Sequence, residues 1–149
     1  MEGYVLIADD DPDARQILGV IVRSLEVTYK TVINGSEALE CIKDEMPQIV
    51  LLDLLMPEMD GFAVLSRLQS DPKTRYIPVI VVTACTLDQV DILKLPGVKE
   101  VIQKGNLVRL KTLIADALHL EIPSQPITGS KPNNTLIRKS IGDCNTSSS

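Results

Sequence analysis

Three carboxylates, one hydroxyl and one ammonium stand at or just past the ends of apolar runs in this 149-residue chain: Asp9 with Asp10, Asp53, Thr83 and Lys104. Carboxylates brought together without compensation repel and shift one another's pKa values, so something positive must balance them. Lys104 supplies one charge. A hard divalent cation supplies two, and Mg²⁺ suits such a place because it prefers oxygen ligands and keeps several waters, so that two acids and a backbone carbonyl suffice. In that setting Asp53 is a candidate nucleophile that attacks an activated phosphoryl group to make an acyl phosphate. The cation and Lys104 would offset charge on the transferring oxygens, while the Thr83 hydroxyl donates to one of them. A donor that moves when the phosphoryl group arrives makes a switch. Each residue also has an ordinary explanation: Asp9 to Asp11 as a helix-capping cluster, Thr83 as a turn hydroxyl, Lys104 as solvated surface. Only their combination on one edge of one sheet carries the chemical reading.

The elements that must position these groups follow from periodicity. The segment Pro47 to Gly61, PQIVLLDLLMPEMDG, carries an unbroken apolar run, Ile49 to Leu52, that ends at Asp53. Such a run is what a parallel strand covered on both faces looks like, and ligand sites in open α/β sheets lie at the carboxyl ends of the strands. Tyr4 to Ala8 is a first strand that meets Asp9, Asp10 and Asp11. Pro12 then suits a first helical turn, and Ala14, Ile17, Leu18, Ile21, Val22 and Leu25 follow at the spacing of one buried face. Val27 to Ile33 reads as a second strand, Asn34 and Gly35 as a turn, and Ser36 as the cap of a helix carrying Ala38, Leu39 and Ile42.

After Gly61 comes a helix with Phe62, Leu65 and Leu68 inward, ending near Asp71 and Pro72. Pro78 to Val82 is a fourth strand ending at Thr83. Leu87, Val90 and Leu93 predict a short helix stopped by Pro96 and Gly97. Val98 to Ile102 is a fifth strand interrupted by Lys99 and Glu100, with Lys104 two residues beyond. Leu107 to about Leu120 predicts a last helix with Leu107, Leu110, Ile114, Ala117 and Leu118 on one side. Five strands alternating with five helices predict an α/β, doubly wound parallel sheet.

Composition narrows the function classes. The length favours one domain, 44% hydrophobic content is ample for one core, and 3% aromatics make that core aliphatic. With 20 acids against 15 Lys plus Arg, a formal charge of -5 argues against direct nucleic-acid or anionic-membrane binding. Apolar runs are strand-sized, well short of the roughly 20 residues of a membrane span, and the acidic start does not read as a secretory signal, so a cytoplasmic location is expected. Cys41, Cys85 and Cys144 form no CxxC pair, and His119 is alone, so neither a disulfide nor a zinc site is expected. From Glu121 the chain turns to Pro, Gly, Asn, Thr and Ser, which predicts a flexible polar tail or linker over 121–149 after a domain over 1–120. The island Leu136 to Ile141 in it reads as an accidental cluster in a linker, with a docking segment as the alternative.

The acid pair Asp9 and Asp10, the segment Asp53 to Gly61 with its MPEMDG, the Thr83–Ala84 pair and Lys104 stand in the order and spacing of a family. Over Tyr4 to Leu120 the chain resembles a response-regulator receiver domain of two-component signalling. The resemblance implies a flavodoxin-like five-stranded parallel sheet of order 2-1-3-4-5 with helices on both faces. It implies that Asp10, Asp53 and the Leu55 carbonyl bind Mg²⁺ with help from Asp9. It also implies that Asp53 accepts a phosphoryl group from a sensor histidine kinase or phosphotransfer protein. Such a domain catalyses only its own phosphorylation and dephosphorylation and is no enzyme in the turnover sense.

Two positions depart from the family. Gly105 follows Lys104 where proline is usual, and Val101 replaces the usual aromatic residue, so switching without a ring flip is expected, through backbone shifts around Thr83 to Leu95 or a patch on the last helix and fifth strand. Leu55 and Cys85, two after Asp53 and Thr83, occupy positions where the family tunes hydrolysis, and apolar or soft side chains there predict a long-lived phosphorylated state. The expected function is a stand-alone phosphorylatable switch that signals through a downstream protein. The alternative is a phosphorylation-independent interaction module. A haloacid-dehalogenase-like enzyme would need an acid where Leu55 stands, and a nucleotide-binding protein a glycine-rich loop after the first strand. The face of Leu87 to Leu95 with Leu107 to Leu118 reads equally well as a phosphorylation-dependent homodimer surface or as solvated monomer surface.

Overall fold

The computed structural model of the protein describes residues 3–84 and 89–119. Its elements are β1 (Val5–Ala8), α1 (Pro12–Arg23), β2 (Tyr29–Val32), α2 (Gly35–Asp44), β3 (Ile49–Leu52), α3 (Gly61–Ser70), β4 (Val79–Thr83), α4 (Gln89–Leu93), β5 (Val98–Gln103) and α5 (Leu110–Ala117). The strands pair in parallel in the order β2-β1-β3-β4-β5, the flavodoxin-like arrangement expected from the sequence.

Strands β1, β3 and β4 are buried along their whole length, which is why they read as unbroken apolar runs. Alternate side chains point to opposite faces. Leu6, Val50, Leu52 and Val81 pack with Ile42 of α2, Leu65 of α3 and Ile92 of α4. Ile7, Leu51, Ile80 and Val82 pack with Leu18 of α1 and Ile114 of α5. Helices therefore cover both faces.

The interruption in the fifth strand has a structural counterpart. Val79 pairs with Val98, but Ile80 pairs with Glu100, so Lys99 is an extra residue in a bulge. Beyond it, Val101 faces the α4 side and Ile102 the α5 side. The shift sets Thr83 opposite Gln103, one residue before Lys104.

Several sequence expectations need correction. Ser36 does not cap α2; Asn34 does, its side chain accepting from the Glu37 N–H at 2.8 Å. Gly35 begins that helix because its N–H must reach the Met59 carbonyl at 2.9 Å, an approach where a Cβ would lie 2.4 Å from the same oxygen. Ile17 points to solvent at 49% exposure and Gly19 is buried instead, so the inward stripe of α1 is narrower than the apolar pattern. In α3, Val64 is buried and Phe62 only partly so. In α4 Ile92 is buried and Leu93 is 46% exposed, while Leu87 and the burial of Val90 lie outside what is described. Helix α5 starts at Leu110 and ends at Ala117, shorter at both ends, because Leu107 to Arg109 form a turn. Leu110, Ile114 and Leu118 are spent on the core and are not on the surface. Cys85, Cys144 and the segment 121–149 lie outside the described residues.

One glycine sets the path of the chain past β3. The Gly61 N–H donates to the Leu54 carbonyl at 2.9 Å, and a Cβ there would lie 2.4 Å from the Asp53 carbonyl oxygen and 2.7 Å from the Leu54 Cα. Both neighbours are backbone, so the β3–α3 loop itself must move. Gly61→Ala is expected to destabilise the protein by about 1–3 kcal/mol, read as a lower urea midpoint. An unchanged midpoint would show that the loop yields freely.

Candidate functional site

The site stands at the carboxyl ends of β1, β3, β4 and β5. Ala8 pairs with Leu52, and the Asp53 N–H donates to the Ala8 carbonyl at 3.0 Å, so Asp9 and Asp53 leave adjacent strands side by side. On the far side of β3, the Lys104 N–H donates to the Thr83 carbonyl at 3.0 Å, which fixes the root of the lysine. Asp11 caps α1 by accepting from the Asp13 N–H at 3.0 Å. The capping explanation therefore holds for Asp11, while Asp9 and Asp10 are left for the site. Asp60 caps α3, accepting from the Ala63 N–H at 2.9 Å, and Glu58, with φ 67°, takes a left-handed conformation in the same loop.

Asp9, Asp53 and Thr83 are buried and Asp10 is exposed. The Lys104 ammonium lies 2.9 Å from Asp9 Oδ2 and 3.2 Å from Asp53 Oδ2, bridging the two acids. Thr83 Oγ1 donates to Asp53 Oδ1 at 3.0 Å, and the Leu55 N–H approaches the same oxygen at 3.3 Å. Asp9 Oδ1 accepts from the Asp11 N–H at 2.9 Å. Asp9, Asp10 and Asp53 each offer an oxygen, and these atoms lie within 4.8 Å of one another.

Charge in this pocket is set by burial first. Desolvation raises the Asp9 pKa above the usual carboxylate value; hydrogen bonds from Lys104 and the Asp11 N–H oppose it, and the Asp53 charge adds to it. For Lys104 burial pulls downward, but the hydrogen bond to Asp9 and the charges of Asp53 and Asp9 outweigh it, and its pKa is raised.

The donor set fits a hard divalent cation. Asp9 Oδ2 is buried and lacks an aligned hydrogen bond; its 2.9 Å approach to Lys104 is an ion pair only. That oxygen, the exposed Asp10 carboxylate and Asp53 are all hard ligands, the kind Mg²⁺ prefers.

All five side chains predicted from the sequence are thus brought together. Leu55 sits at the rim, 57% exposed. Val101 is buried in the aliphatic cluster that includes Ile92. A Cβ at Gly105 would meet nothing within 4 Å, so proline's absence there is no steric demand. Arg15, whose guanidinium donates to the Asp9 carbonyl at 2.8 Å, escapes the sequence reading; a basic residue one helical turn after an acid cluster is its only signal.

The family model of the response regulator receiver domain matches residues 5–115. The chain belongs to that family. It is 37% identical over 84 residues to the response regulator PleD of Caulobacter vibrioides, a match covering 56% of this chain and 18% of PleD. The chain spans less than two thirds of the length of the first curated relatives it matches. Among solved structures it resembles the signal receiver domain of a signal transduction histidine kinase from Syntrophus aciditrophicus. That match has a TM-score of 0.70 and 30% identity, and covers 87% of this chain and 100% of the other. It also resembles the response regulator TrrA from Thermotoga maritima, solved in complex with Mg²⁺ and BeF, with a TM-score of 0.69, 25% identity, and 78% and 99% covered. No helix among the described residues is long and apolar enough to cross a membrane.

Removing the bridging cation has a signed consequence. The Lys104 pKa is raised, so its ammonium is charged at both pH 5 and pH 7.5 and any difference between the two comes from the acids it balances. Asp9 titrates from above its ordinary value, so its ionisation disfavours the folded state, and protonation as pH falls relieves that. Lys104→Met in EDTA is expected to lose about 2 kcal/mol or more at pH 7.5 and less at pH 5, in thermal melts against wild type at both values. An equal loss at both would contradict the charge-balance account.

Proposed function

We propose that this receiver domain is a phosphorylation-dependent switch of a two-component relay, with Asp53 as acceptor. The observation that carries the reading is the convergence on Asp53 of a buried hydroxyl, an ammonium and two further carboxylates. A carboxylate oxygen of Asp53 attacks the phosphorus of a phosphohistidine on a sensor kinase or phosphotransfer protein. The N–P bond breaks, its electron pair stays on the imidazole, and an acyl phosphate forms. Lys104 offsets negative charge on the transferring oxygens, and Thr83 exchanges its bond to Asp53 Oδ1 for one to a phosphoryl oxygen. Asp9, Asp10, Asp53 and the Leu55 carbonyl would hold Mg²⁺, whose role is to neutralise phosphoryl charge.

Release of Thr83 from Asp53 couples the site to β4 and to the backbone leading out of that strand. The Val101 side chain, packed with Ile92, offers no ring to turn, so the signal passes through backbone movement around Thr83 to Leu95 or through a patch on α5 and β5. The downstream protein and any homodimer are set by surfaces beyond this site.

Incubation with acetyl phosphate and Mg²⁺ is expected to add one phosphoryl mass to the intact protein, an addition absent in EDTA and in Asp53→Asn. No adduct on wild type would favour a phosphorylation-independent interaction module. The adduct should also be long-lived, because the Leu55 side chain cannot orient an attacking water. Leu55→Glu is expected to shorten its lifetime several-fold in a time course of intact mass, and an unchanged decay would remove Leu55 from the account.

A further inference from the structure

Arg15 is the charged group at the site that the phosphoryl-transfer reading leaves without a task. It stands in the first turn of α1, is half-buried, and its Nη1 donates to the Asp9 backbone carbonyl at 2.8 Å. That carbonyl belongs to the peptide unit joining Asp9 to Asp10, which is planar and moves as one piece. The two acids differ in how they are held. The Asp9 carboxylate is buried and fixed by the Asp11 N–H and by Lys104. The Asp10 carboxylate is exposed, and among the described residues no hydrogen bond or ion pair holds it, so its place beside Asp9 and Asp53 depends on the backbone. After Asp10 that backbone is secured by Asp11, which caps α1; before it, by Arg15.

We propose that Arg15 is a positioning residue of the cation site: by clamping the Asp9–Asp10 peptide it keeps the Asp10 carboxylate turned toward Asp9 and Asp53. The inference rests on the reading of those three acids as a Mg²⁺ site. Groups that orient metal ligands typically change affinity about 10–100-fold when removed. The Arg15 charge works in the opposite direction, since a cation beside a cation site repels the ion. The two roles thus differ in sign: loss of charge alone tightens Mg²⁺ binding, and loss of the clamp weakens it.

The test is calorimetric titration of Mg²⁺ into the full chain as wild type, Arg15→Met and Arg15→Lys, beside melting curves in EDTA. Arg15→Met is expected to bind Mg²⁺ about tenfold more weakly with its melting temperature in EDTA little changed. Arg15→Lys, which keeps the charge and one donor, should fall between. Phosphorylation of Arg15→Met by acetyl phosphate should need more Mg²⁺ for half its maximal rate yet reach a similar maximum. Binding by Arg15→Met as tight as wild type or tighter overturns the clamp while leaving the cation site standing. No binding by wild type overturns both. If Arg15→Met does not fold, Arg15→Lys decides alone: weaker than wild type supports the clamp, equal or tighter refutes it.

Discussion

Two carboxylates buried side by side repel, and neither can shed its charge into water. Asp9 and Asp53 are in that position because adjacent parallel strands end level, Ala8 against Leu52. The ammonium of Lys104, 2.9 Å from one and 3.2 Å from the other, is what makes the arrangement tolerable in a folded protein. Much of the rest of the fold can be understood as the means of bringing that lysine across β4. The bulge at Lys99 advances β5 by one residue, and the Thr83 carbonyl then holds the Lys104 N–H.

The same cluster is stable yet poised. Thr83 and the Leu55 N–H already address one oxygen of Asp53, and Lys104 addresses the other. A phosphoryl group on Asp53 would supply acceptor oxygens that compete for these donors, so its arrival redistributes bonds that exist beforehand. The turns that carry the acids are fixed separately, by Asp11 and Asp60 as helix caps and by Gly61 against the Asp53 carbonyl. The turns that carry the acids are thus held by contacts separate from the donors that a phosphoryl group would draw away.

The inner strands and the acids and hydroxyl at their ends are legible in the sequence because a strand buried on both faces has a continuous apolar signal and its first polar residue marks the sheet edge. The strand order and the place of Lys104 come instead from the family resemblance. The helices are less legible. Ile17, Leu93 and Leu107 fit an apolar period, yet Ile17 and Leu93 are exposed and Leu107 precedes its helix, since periodicity does not say how wide a stripe the sheet can cover. Asn34 reads as a turn residue because only tertiary contact, Gly35 against the Met59 carbonyl, starts α2 two residues early. Lys99 weakens the β5 signal because a bulge breaks the alternation. Arg15 leaves only a basic residue one turn after the acids as its signal, because its partner is a backbone carbonyl, which makes no mark in the pattern of side chains.

The central claim is that this geometry makes Asp53, and not its neighbours Asp9 or Asp10, the nucleophile. Borohydride reduction of the acetyl-phosphate-treated protein tests it most directly, because hydride converts an acyl phosphate to an alcohol, with loss of phosphate, at the residue that carried it. Peptide mass mapping is predicted to find homoserine at position 53 alone, and only when Mg²⁺ was present. Homoserine at position 9 or 10, or at none of the three in a protein that had gained the phosphoryl mass, would contradict the account.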